Sequence, residues 1–119
     1  MQYMLLLYTA PDAGPFPDSP EMLEQRKRWF AVTEEMKAAG VHVAGDALQP
    51  TTAATTVRER DRELVLSDGP FAETKEMLAG YYLIDVPDLD AATEWAAKMP
   101  LVGYGSVEIR PVMVLAGAP

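Results

Sequence analysis

The chain contains no cysteine and a single histidine, His42. The first absence removes thiol nucleophiles, disulfides and thiolate metal sites together. It accords with a reducing compartment, and the cytoplasm is the expected location. One imidazole and no thiolate are too few of the ligands that closed zinc sites use, so no metal is expected, and none of the residues points to a cofactor. A glycine-rich phosphate loop is also missing, because Gly103-Tyr104-Gly105-Ser106 has neither the spacing nor the helix context of one. Positive charge is scarce: 10 Lys and Arg stand against 18 Asp and Glu, a formal net charge of -8. Nucleic acid and anionic membranes would be repelled at long range and are excluded as partners. The apolar run Met4 to Leu7 is too short for a membrane span or a signal core, and no basic residue precedes it.

What is present suffices for one domain. A chain of 119 residues, 49% of them hydrophobic, can bury a core without staples, and we read 1–119 as a single domain. Gln2 to Tyr8 is apolar with little alternation, as expected of a strand covered on both faces. A proline-rich loop follows, and Ser19-Pro20-Glu21 supplies an N-cap, a first-turn proline and a first-turn acid for a helix from Pro20 to Ala39, closed by Gly40. Met22, Trp29 and Met36, flanked by Phe30, Val32 and Ala39, give that helix its core face; Glu24, Arg28, Glu35 and Lys37 take the wet side.

Val41 to Leu48 reads as a strand with Val41 and Val43 on one face and His42 on the other. Two β-rich segments then flank a charged tip at Glu59 to Arg62. Gly80 to Val86 is a further strand, stopped by Pro87. Asp88 caps a second helix whose apolar stripe is Leu89, Ala92, Trp95, Ala96 and Met99. A last strand is expected from Ser106 to Leu115, with Val107, Ile109, Met113 and Leu115 on one face and Glu108, Arg110, Val112 and Val114 on the other. This order is the split β-α-β arrangement with an added hairpin, an α+β fold. Both helices then lie on one side of the sheet, and the apolar face left uncovered calls for a partner.

Between the two central β runs lies Asp68-Gly69-Pro70-Phe71-Ala72-Glu73-Thr74-Lys75-Glu76. Together with "AGYYLI" (79–84), "AATEWAAKMP" (91–100), "VEIRPV" (107–112) and the opening "MQYMLLLY", this signature resembles the YCII-related family, and within it the DGPF-domain subset. The resemblance covers essentially the whole chain. It implies a ferredoxin-like domain of the dimeric α+β barrel type, in which two sheets face each other across a dyad and enclose a cavity. Enzymatic activity has been suggested for such proteins from a histidine and an aspartate, and bacterial DGPF proteins are often encoded beside extracytoplasmic-function sigma factors. This chain departs from the pattern: where the resemblance implies a histidine in the first helix, it reads Arg28-Trp29-Phe30.

The candidate site follows from both readings. Asp-Gly-Pro is sufficient by itself for a turn, but Asp68, at a strand end and in the motif's first position, is also the candidate catalytic base. Glu73, Lys75 and Glu76 are candidate ligand-binding residues if the segment turns back on itself, with the alternative that they form a solvated charge cluster. Arg110 is the candidate anion anchor, or else pairs with Glu108 across a dyad. Tyr81, Tyr82 and Tyr104 add hydroxyls, and His42 with Asp46 is the only histidine and carboxylate pair close in sequence. The expectation is a homodimer holding an unknown small molecule in a cavity at its interface, either as an enzyme or as a noncatalytic regulatory module.

Overall fold

The structure, a computed structural model, describes residues 1–117. Six strands and two helices follow one another as β1 (Gln2–Thr9), α1 (Pro20–Ala38), β2 (His42–Ala47), β3 (Thr55–Arg60), β4 (Glu63–Asp68), β5 (Met77–Asp85), α2 (Leu89–Ala97) and β6 (Ser106–Pro111). Strands β2-β5-β1-β6 form one antiparallel sheet, and β3-β4 form a separate hairpin. Without the hairpin the order is that of a ferredoxin-like β-α-β-β-α-β unit. The fold class is therefore α+β, with two helices and antiparallel sheets.

Local chemistry sets the helix ends. The Ser19 hydroxyl accepts from the Met22 amide at 3.1 Å, and Asp88 accepts from the Ala91 amide at 2.9 Å, each satisfying a donor that a helix start leaves free. Gly40, at φ +75°, takes the left-handed position past α1, where a side chain would be strained.

The core lies between the helices and one face of the sheet. Tyr3, Leu5 and Leu7 of β1, Tyr82 and Ile84 of β5, Val32 and Met36 of α1, and Ala92 and Ala96 of α2 are buried together. Full burial of each large aliphatic side chain contributes about 1.5–3 kcal/mol. On α1 the buried stripe is Met22, Gln25, Trp29, Val32 and Met36, alternating steps of three and four residues. Gln25 belongs to it because its Nε2 donates to the Tyr104 hydroxyl at 2.5 Å, which satisfies a polar group that burial would otherwise penalise.

Several expectations are corrected. Phe30 is 72% exposed because it lies to one side of that stripe, and Ala39 is exposed because it is the C-cap, past the last residue of α1. Leu89 is exposed at the first turn of α2. The last strand ends at Pro111, four residues early; the Val112 amide still donates to the Gln2 carbonyl at 2.9 Å, and there β1, the partner strand, runs out. Met113, Val114 and Leu115 beyond it are exposed and line no sheet face. In β2 the register shifts between His42 and Ala44. His42 consequently lies opposite Ile84, on the helix side, with its ring 6.1 Å edge-on from that of Tyr82, while Val41 packs on the same core.

Neither β3 nor β4 pairs with the main sheet. The radius of gyration, 16.5 Å, exceeds the ~13.5 Å expected of a compact chain of this length, as a projecting hairpin requires.

Candidate functional site

The face of the main sheet turned away from the helices is built by strand alternation and cross-strand register. Because Tyr3, Leu5 and Leu7 point to the helices, Met4, Leu6 and Tyr8 point to the other side. Asp46, Tyr81, Leu6 and Glu108 lie in one cross-strand row, and Ala44, Leu83, Met4 and Arg110 in the next. The centre of this open face is apolar and half-buried: Met4, Leu6 and Leu83. Its margins are polar.

On the β2 side the Tyr81 hydroxyl donates to Asp46 Oδ2 at 2.8 Å. This hydrogen bond, with the nearby carboxylate charge, raises the Tyr81 pKa above the ordinary 10.0, because ionising the phenol would place two negative charges together. Near the β1–β6 end, the Ser106 hydroxyl donates to Glu76 Oε1 at 2.7 Å. On the β6 side stands Arg110, the only lysine or arginine in the four strands of the main sheet. Among the described residues no ion pair or side-chain hydrogen bond engages it, and none joins it to Glu108.

The candidate residues from the sequence separate into two places. Glu76 and Arg110 belong to the open face. Asp68 ends β4 on the hairpin, exposed and without a side-chain hydrogen bond among the described residues, while the turn is held through the Gly69 backbone: its amide donates to the Ala54 carbonyl at 2.7 Å, and its carbonyl accepts from the Thr56 hydroxyl at 2.8 Å. Glu73 lines a small cavity of about 350 Å³, with Thr51, Gly69, Pro70, Thr74 and Met77 around it. That volume is at the lower limit for small-molecule sites. Lys75 is exposed and makes no ion pair among the described residues. The segment 72–76 is not helical; the Thr74 hydroxyl instead bonds the Glu76 carbonyl within it.

A larger groove of about 1180 Å³ lies on the helix side, between α1 and the end of α2. It is broad, its walls include the exposed ion pair Lys98–Glu35 at 3.2 Å, and it holds none of the candidate site residues Asp68, Glu73, Lys75, Glu76 and Arg110.

The Asp46–Tyr81 pair is not legible in the sequence because the residues are 35 positions apart; proximity along the chain pairs Asp46 with His42 instead. The register puts those two on opposite faces of the sheet. Among the described residues no cluster of three or more His, Asp or Glu is arranged to hold a metal ion, and no helix is long and apolar enough to cross a membrane.

Two helices on one face of a four-stranded antiparallel sheet, with polar margins on the opposite face, define a small α+β protein of the ferredoxin-like class. The YCII-related domain family matches residues 1–116, and the chain belongs to that family. It is also 49% identical over 67 residues to an uncharacterised protein of Rhizobium meliloti (strain 1021), a match covering 55% of this chain and 54% of that protein. The match thus spans about half the length of that relative.

The titration of Tyr81 offers a direct check on the geometry. Replacing Asp46 by Asn is expected to lower the Tyr81 pKa towards its ordinary value, since the charge that opposes ionisation is gone while a hydrogen-bond acceptor remains. A raised folded-state pKa stabilises the protein below the unfolded value and the contribution is lost as pH rises through the folded one, so Asp46→Asn removes a contribution that is present at neutral pH and flattens the decline of stability in the alkaline limb. NMR of ring-labelled tyrosine, assigned with Tyr81→Phe, reads this out; an unchanged Tyr81 titration would remove the pair from the site.

Proposed function

We propose that the protein is a cytoplasmic homodimer of the DGPF type that binds a small molecule between the open sheet faces of two copies. The observation that carries this reading is the open face itself: an apolar centre of Met4, Leu6 and Leu83 flanked by Asp46–Tyr81, Glu108 and Arg110, which has no ion-pair partner among the described residues. Apolar walls with a few convergent polar groups are what small-molecule sites share. In this reading Arg110 anchors an anionic group of the ligand and Asp68 supplies the carboxylate that positions it or accepts its proton, with Glu73, Lys75 and Glu76 shaping the rim.

A homodimer burying more than about 1,500 Å² in total is expected, and light scattering at micromolar concentration checks it; a monomer mass rules the reading out. A metabolite screen on the purified protein should return an anionic small molecule. For that ligand, Asp68→Asn is expected to abolish binding while leaving the thermal midpoint unchanged under conditions where variant and wild type have the same mass, because an exposed side chain without a partner in its own chain among the described residues contributes within about 0.5 kcal/mol to folding of the protomer. A fall in stability with binding intact would make Asp68 a turn residue only.

A second reading is favoured by the exposed apolar side chains of the hairpin and of the segment after it. These suit a noncatalytic regulatory module, of the kind that extracytoplasmic-function sigma factor signalling uses. A genomic neighbourhood of sigma-factor genes supports the module, and a metabolic operon the ligand-binding protein.

A further inference from the structure

The β3-β4 hairpin is anomalous. A two-stranded hairpin on its own is marginally stable in water, and among the described residues this one has no strand neighbour beyond itself. Register divides its side chains into two faces. One carries Thr56, Arg58, Arg60, Glu63, Val65 and Ser67; the other carries Thr55, Val57, Glu59, Leu64, Leu66 and Asp68. On the second face Val57 is 57% exposed, Leu66 68% and Leu64 75%. An apolar centre flanked by two acids, Glu59 and Asp68, is thus presented to solvent.

The open sheet face is its complement. It has an apolar centre, Met4, Leu6 and Leu83, and one cation, Arg110, that makes no ion pair among the described residues. Area argues the same way. Four strands of about six residues have a flat footprint of about 20 by 20 Å, on the order of half the roughly 800 Å² per partner that a stable interface buries. Sheet against sheet alone falls short, and a hairpin laid over the margin makes up the difference.

We infer that the occupant of the hairpin's apolar face is a second copy of this chain: each hairpin folds over the β6 margin of the other copy's open sheet, setting Asp68 against Arg110 of the partner subunit. This rests on the homodimer proposed above and adds to it that the site is composite. The motif aspartate of one chain and the arginine of the other then border the same cavity, which neither chain completes alone.

Charge reversal tests it with dimer dissociation as the readout, by analytical ultracentrifugation of the full chain. Asp68→Arg and Arg110→Asp are each expected to weaken the dimer at least tenfold, and the chain carrying both changes to regain most of the loss. Glu63→Arg, on the other hairpin face, should leave dissociation unchanged. The cysteine-free chain allows a second measurement: Leu66→Cys and Leu6→Cys, made separately, mixed and treated with a short bismaleimide, should give a cross-linked pair containing one of each.

Two results overturn the inference and are distinguishable. A dimer that ignores both charge reversals and gives no mixed cross-link keeps the dimer and removes the hairpin from it. A wild-type chain that is monomeric at every concentration removes both.

Discussion

Leu5→Ala is expected to lower the free energy of unfolding by about 2–5 kcal/mol, the range for emptying a buried aliphatic site. Leu5 is fully buried on β1, an interior strand of the sheet, between Tyr82 of β5 and Ile109 of β6. The loss combines the transfer free energy of the removed methyls with a cavity that neighbours held by two strand ladders fill poorly. Leu89→Ala is the control. A sequence reading alone puts Leu89 in the core stripe of the second helix, but it is 54% exposed, so its replacement is expected to cost no more than about 0.5 kcal/mol. Urea unfolding at one fixed protein concentration measures both, since self-association, where present, makes apparent stability depend on concentration. Equal losses would mean that α2 docks with a different face.

The contrast between these leucines indicates what the sequence makes legible. Helix starts are local: Ser19-Pro20 and Asp88 announce caps because the bonds they make are to amides three residues on. Interior strands are legible through their apolar content. The rotation of a helix about its axis is less so, because one residue is about 100° of arc. Trp29 falls inside the buried stripe and Phe30 outside it, and the choice is made by Gln25 finding Tyr104, 79 positions away.

The candidate site divides in the same way. The motif from Asp68 to Glu76 stands out in the sequence as a dense acidic connection, and the structure puts its members partly on a hairpin, partly in a small cavity and partly at the open face. The Asp46–Tyr81 pair is not legible from spacing at all. It depends on the register of β2 against β5, and the shift beside His42 fixes that register only in three dimensions. A one-residue slip would send Asp46 to the helix side.

That dependence can be tested at Gly80. Its neighbour across the ladder is Ala47, and a Cβ added at Gly80 would lie 2.8 Å from the Asp46 carbonyl oxygen and 3.3 Å from the Ala47 Cα. Both are backbone atoms, so no side-chain rotation relieves the contact. Either β2 moves outward or the β2–β5 ladder breaks, and as the edge strand of the sheet β2 is the element free to move. Gly80→Ala is therefore expected to cost about 1–3 kcal/mol, the range for overpacking a fixed site. The displacement of β2 also carries Asp46 away from the Tyr81 hydroxyl. Urea unfolding should show the loss of stability, and the tyrosine titration should show the Tyr81 pKa falling towards its ordinary value in the same variant. If stability falls but Tyr81 still titrates high, the strain is absorbed elsewhere and the register of β2 is not what holds the pair together.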